Sequence, residues 1–140
     1  MVAIIIGTHG SFSKQILRSA QMIYGKQENV LSVTFETGEG VDDLVLKYKN
    51  ELAKLDRSDG VLFLVDLFGG SPFNAASRIV STNEDMDIVT GVNLPMLLEV
   101  YGARNSSSIE ELVSIGKQAG SDGIRSLKEV FAKQEEQEIL

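Results

Sequence analysis

Two short, uninterrupted apolar runs rich in β-branched residues, at positions 2–6 and 61–65, constrain the fold of this chain more than any other feature. A strand with one wet face alternates apolar with polar residues. These runs hold no polar position, so they predict central strands buried on both faces of a parallel sheet. Residues 30–35 alternate more, with Ser32 and Thr34 between apolar neighbours, and residues 87–92 give a fourth short run. Both read as outer strands.

Between the strands the apolar period becomes helical. Phe12, Ile16, Ala20 and Ile23 share one face, and Val41, Leu44, Tyr48, Leu52 and Leu55 share another. Gly25 marks a stop after the first helix. Ser71-Pro72 predicts a helix starting at Pro72, with the serine as its cap. Asn93 caps another that carries Pro95 in its first turn and turns Met96, Leu97 and Val100 inward. Ser108 with Glu111 forms a capping box for a helix over residues 109–119.

Strands that alternate with helices imply a doubly wound α/β domain: a mostly parallel sheet of four strands, in the order 2-1-3-4, with helices on both faces. A chain of 140 residues suits one such domain. It is expected over residues 1–127. Residues 128–140, dominated by Lys, Gln and Glu after Phe131, read as a polar helix or tail.

Composition narrows the function. With no cysteine there is no disulfide framework, thiolate metal site or thiol nucleophile, and a single histidine makes no metal cluster. Neither a metal nor a cofactor is called for. A net charge of -7 argues against nucleic acid, which is bound through Lys and Arg. The N-terminus lacks the basic lead of a signal peptide, and no apolar run nears the length of a membrane span. A cytoplasmic location is the expectation.

In a doubly wound sheet, ligands bind beyond the carboxyl ends of the strands, where strand order reverses. Three segments converge there: Gly7-Thr8-His9-Gly10, Asp66-Leu67-Phe68-Gly69-Gly70-Ser71, and Gly91-Val92-Asn93-Leu94-Pro95. With the first and third strands adjacent, His9 and Asp66 meet. Imidazole attacks phosphorus through an unprotonated nitrogen, so the proton must be held on the other one. A facing carboxylate does this and stabilises the positive charge that develops on the ring. Backbone N–H groups near Gly10, Leu67 and Gly70, with the hydroxyls of Ser11, Ser71 and Thr8, are candidates to hold phosphoryl oxygens. Phe68, with Pro95 and Met96, is the candidate docking surface. The bland alternatives stand beside these: a lone histidine with no chemistry, Asp66 as a turn residue, and the glycines and Ser71 as a tight loop and cap.

Taken together, Gly7-Thr8-His9-Gly10, the stretch VLFLVDLFGGSPFNAASR over residues 61–78, and GVNLPML over residues 91–97 resemble the IIA component of the mannose, fructose and sorbose family of the bacterial sugar phosphotransferase system. The similarity runs from Met1 to about Leu127. It implies that His9 accepts phosphate on Nε2 from the phosphohistidine carrier protein HPr and donates it to a IIB component. Sugar is then phosphorylated as it enters through the membrane components IIC and IID, to which this chain would be linked only peripherally. It also implies that Asp66 contacts the other ring nitrogen and that Ser71 lines the site. Some members carry threonine where this chain has Leu67 and tryptophan where it has Phe68, which removes a side-chain hydroxyl at position 67. Members are homodimers, and the resemblance implies that residues 123–127 form an antiparallel strand exchanged between subunits.

Two other readings remain open on sequence. One is the phosphotransfer subunit of a dihydroxyacetone kinase, which has a similar fold and an N-terminal histidine. The other is a non-catalytic regulatory or nucleotide-binding module, against which stands the lack of G-x-x-x-x-G-K-[ST] and G-x-G-x-x-G patterns. No G-x-S-x-G motif points to a hydrolase.

Overall fold

The computed structural model of the chain describes residues 1–139; Leu140, the end of the expected tail, lies outside the described residues. Four strands, β1 (Ala3–His9), β2 (Val30–Phe35), β3 (Val61–Val65) and β4 (Met86–Val89), form one sheet in the order β2-β1-β3-β4. All three pairings are parallel. The apolar runs are the central strands, as their lack of a polar position predicts.

Among the described residues six helices accompany the sheet: α1 (Phe12–Tyr24), α2 (Val41–Leu52), α3 (Ser71–Val80), α4 (Leu94–Ala103), α5 (Ile109–Asp122) and α6 (Leu127–Ile139). Successive β1 side chains point to opposite faces. Ile4 and Ile6 therefore join Ile16 of α1, Leu97 and Val100 of α4 and Leu112 of α5 in one core layer. Ala3 and Ile5 join Leu44 and Tyr48 of α2 and Ala75, Ala76 and Ile79 of α3 in the other. Phe63 is fully buried and meets Tyr48 edge to face, with ring centroids 5.2 Å apart. An aromatic so placed is worth about 3–5 kcal/mol against alanine.

The helix signals are borne out with local changes. Gly25 ends α1 at φ 87°, its N–H bonded to the Gln21 carbonyl. Asn93 caps α4 by accepting the Met96 N–H at 3.0 Å, and its own amide donates to the Gly120 carbonyl, tying α4 to α5. Ser108 and Glu111 close the capping box of α5. Of the four residues expected to share one face of α1, Ile16 and Ala20 are buried, while Phe12 and Ile23, at the two ends of the helix, are 46% and 61% exposed. β4 stops at Val89 rather than continuing to Val92, since Gly91 adopts φ 73° and turns the chain out of the sheet.

Residues 123–126 link α5 to α6 and form no strand within this single chain. The outer edge of β4 accordingly carries no strand among the described residues. Beside it runs an open groove of about 600 Å³ bordered by Phe68, Ile88, Val113 and Ile124. Among the described residues, no helix is long and apolar enough to cross a membrane.

Candidate functional site

The first segment of the site is strand, not loop. β2 extends to Phe35, so the ladder continues and pairs Gly7, Thr8 and His9 with Val33, Thr34 and Phe35. His9 is thus held by strand geometry as the last residue of β1, and only Gly10, at φ 57°, leaves the sheet. Thr8, a candidate donor to phosphate, is fully buried. Its hydroxyl accepts the Ser13 N–H at 2.6 Å, which anchors the start of α1 and removes it from the surface.

β3 lies against β1 with Val65 opposite Gly7, so Asp66 follows directly into reach of His9. The Nδ1 atom of His9 lies 2.8 Å from Asp66 Oδ2, and the His9 backbone N–H donates to the same oxygen at 3.0 Å. The other oxygen, Oδ1, accepts the Leu67 N–H at 3.1 Å. A carboxyl group facing three nitrogen donors acts as an acceptor only, which assigns the ring proton to Nδ1. The Nε2 lone pair is then left free. The His9 side chain is 45% exposed and that of Asp66 only 15%, so the ring faces solvent while its partner is sheltered.

Two further walls fix the ring. Phe35 meets it edge to face, with centroids 5.7 Å apart and planes at 81°. Gly70 lies on the opposite edge, where a Cβ would come within 2.9 Å of His9 Cε1 and 3.5 Å of Nε2. Glycine at position 70 is therefore a requirement of space, since its backbone at φ -75° suits any residue. Gly70, rather than Ser71, is the cap residue of α3; the helix begins at Ser71, one residue before the expected start. The N–H groups of Gly70 and Ser71 and the Ser71 hydroxyl donate to no group among the described residues. They sit where a helix N-terminus attracts anions.

Other expected contacts are spent elsewhere. The Gly10 N–H donates to the Phe35 carbonyl at 2.8 Å, so Gly10 supplies a turn and not a phosphate donor. The Leu67 N–H is committed to Asp66. Ser11 is exposed, two residues beyond His9 in the chain. Met96 is 4% exposed and belongs to the core, which removes its side chain from any docking surface; Pro95 is half-buried. Phe68, by contrast, is 81% exposed with its ring 4.6 Å from that of Phe73, and Leu67 is 59% exposed. Periodicity gives no reason to single out Phe35 or Tyr48. A glycine inside a β-branched strand, Gly7, is the one signal of a close approach. The approaching group is the Tyr48 hydroxyl, which donates to the Pro72 carbonyl at 2.9 Å. Burial, with the Asp66 charge nearby, pushes the Tyr48 phenol well above its usual range.

Known proteins resemble this chain in sequence and in fold. The family model described as PTS system fructose IIA component matches residues 3–115. The mannose-specific EIIAB component of Escherichia coli (strain K12) is 50% identical over 128 residues, covering 91% of this chain and 40% of that protein. The chain thus spans less than half the length of that relative. The fructose-specific EIIA component of Bacillus subtilis (strain 168) is 40% identical over 114 residues, which cover 81% of this chain and 78% of that protein. Phosphotransferase system component EIIA from Streptococcus agalactiae has the same fold, with a TM-score of 0.84 at 31% identity over 91% of this chain and 98% of that one. A family model that covers most of the chain, relatives at this level of identity, and a histidine and aspartate paired at the sheet's carboxyl edge lead to one conclusion: the chain belongs to the mannose, fructose and sorbose family of phosphotransferase-system IIA components.

Proposed function

We propose that this protein carries phosphoryl groups in a sugar phosphotransferase system, taking them from phospho-HPr onto Nε2 of His9 and passing them to a IIB component. The observation that carries this reading is the 2.8 Å contact between His9 Nδ1 and Asp66, which leaves Nε2 unprotonated and facing solvent. In uptake, the Nε2 lone pair forms the new N–P bond as the donor's N–P bond breaks. The proton stays on Nδ1, so the ring becomes cationic and Asp66 stabilises it. In delivery the same bond breaks toward the acceptor, and the ring returns to its neutral form with no proton gained or lost.

The free N–H groups of Gly70 and Ser71 and the Ser71 hydroxyl support a role in holding the phosphoryl oxygens at the start of α3, with Ser11 flanking them. None of the three convergent segments contains Lys or Arg, which fits a group that must be released again. The exposed Leu67 and Phe68, with Pro95 at the margin, suit a docking surface for the two protein partners. Residues 1–127 form the carrier unit, with residues 128–139 as an appended helix. The protein works in the cytoplasm, meeting the membrane IIC and IID components only through IIB. It acts as a homodimer, and the unpaired edge of β4 with its apolar groove supports a strand from a second copy pairing there.

Incubation with labelled phosphoenolpyruvate, enzyme I and HPr tests the reading. Acid-labile, base-stable label is expected on the wild type and none on His9→Ala. Label that persists on His9→Ala, or tight nucleotide binding without any label, contradicts it.

A further inference from the structure

We propose that Tyr48, buried in the core layer between the sheet and α2 and α3, is a positioning residue for phosphoryl transfer: its hydroxyl sets the start of α3, and through it the Gly70 wall that aims the His9 ring. This rests on the reading of His9 as the phosphoryl acceptor. Tyr48 projects from α2, is fully inaccessible, and stacks edge to face on Phe63 of β3. Its ring reaches under the end of β1 at Gly7, where any Cβ would collide with the hydroxyl, and Gly7 pairs with Val65, the residue before Asp66. From there the hydroxyl donates to the carbonyl of Pro72 in the first turn of α3. One side chain therefore ties α2, the carboxyl edge of the two central strands and α3 together, directly beneath the site.

The link to chemistry is Gly70. It precedes the first turn that Tyr48 holds, its carbonyl accepts the Asn74 N–H at 2.8 Å, and it faces the Cε1 and Nε2 edge of His9 so closely that an added Cβ would meet the ring. A small drift of α3 opens that wall and leaves the ring held by Asp66 and Phe35 alone. Pro72 is a helix residue whose carbonyl keeps its place in the α3 ladder without the phenol, so Tyr48→Phe should fold. The partner surface is untouched because Tyr48 never reaches it.

The test compares Tyr48→Phe with wild type in phosphoryl uptake from phospho-HPr, and follows the His9 Cε1–H resonance in the unphosphorylated protein. An angstrom of misplacement costs about a hundredfold, and a smaller drift should lower kcat about tenfold with KM for phospho-HPr unchanged. The Cε1–H signal should move or broaden. Leu112→Val, which trims the opposite core layer and leaves α3 alone, and Tyr101→Phe, which deletes a buried hydroxyl in that same layer, should leave both readouts as in wild type. The proposal stands only if Tyr48→Phe changes kcat and the ring signal at fixed KM while the two controls do not; any other pattern overturns it. Should wild type itself take no label, the carrier reading falls, and the ring signal alone then decides on Tyr48.

Discussion

The two ends of the sheet each hold a polar side chain in a dense set of hydrogen bonds, yet only one end is equipped for chemistry. At the amino end, Arg104 is 2% exposed. Its Nη1 donates to the Val2 and Asn29 carbonyls and its Nη2 to the Glu28 carbonyl and the Gln27 side chain, while the guanidinium lies 5.7 Å from the Tyr101 ring. Burial pulls its pKa down from the usual arginine value. Three of these acceptors are backbone carbonyls and the fourth is the Gln27 side chain, while the buried Nε has no partner among the described residues. At the carboxyl end, His9 has one ring nitrogen saturated and the other open. A bonded polar group is structural when it is sealed from solvent, and available for reaction when its bonded atoms leave another aimed at solvent.

That contrast breaks first at Asp66. Asp66→Asn should keep the fold but present an amide that can also donate, so the ring proton loses its place. Uptake from phospho-HPr should fall roughly a thousandfold with unfolding by urea little changed. A variant that transfers normally would remove Asp66 from the mechanism.

At the other end the effect should be on stability alone. Arg104→Ala strands several buried carbonyls and leaves a void, which costs about 3 kcal/mol in urea unfolding. The folded fraction should still transfer phosphate at the wild-type rate. Loss of transfer in fully folded Arg104→Ala protein would show that the two ends are not independent.

Smaller changes sharpen the picture of the ring. Gly70→Ala suits the local backbone but drives a methyl into the Cε1 edge of His9, so transfer should drop about tenfold without loss of stability. The smallest effect is expected from Leu67→Lys. A cation beside the phosphoryl group should slow delivery to IIB about fivefold more than it slows uptake, and raising the salt should shrink the difference. Equal effects on both half-reactions, or none, would show that the lack of basic residues in these segments has no part in release.

Much of this was legible in the residues. Strand identity followed from whether a run admits a polar position, which is why β2 and β3 end where the pattern does and why the central pair was recognisable. Caps at Asn93 and Ser108 were legible because a side chain three residues from its donor is a local matter. Legibility failed where a partner comes from elsewhere in the chain. Whether the Gly10 N–H is free depends on Phe35, and whether Thr8 faces phosphate depends on Ser13. Met96 lies one turn into a helix whose docking side and core side share similar residues. For His9 and Asp66 the strand order supplied the contact, yet nothing in the spacing pointed to Gly70 as a wall or Phe35 as its counterpart.

The claim at the centre is that Asp66 holds the ring proton on Nδ1 and leaves Nε2 to react. Phosphorus and nitrogen resonance on the protein labelled from phosphoenolpyruvate measures this directly, because the two nitrogens give distinct couplings to a bound phosphorus. Phosphorus on Nε2, with the proton retained on Nδ1, is the expected result. Phosphorus on Nδ1, or on any residue other than His9, would contradict it.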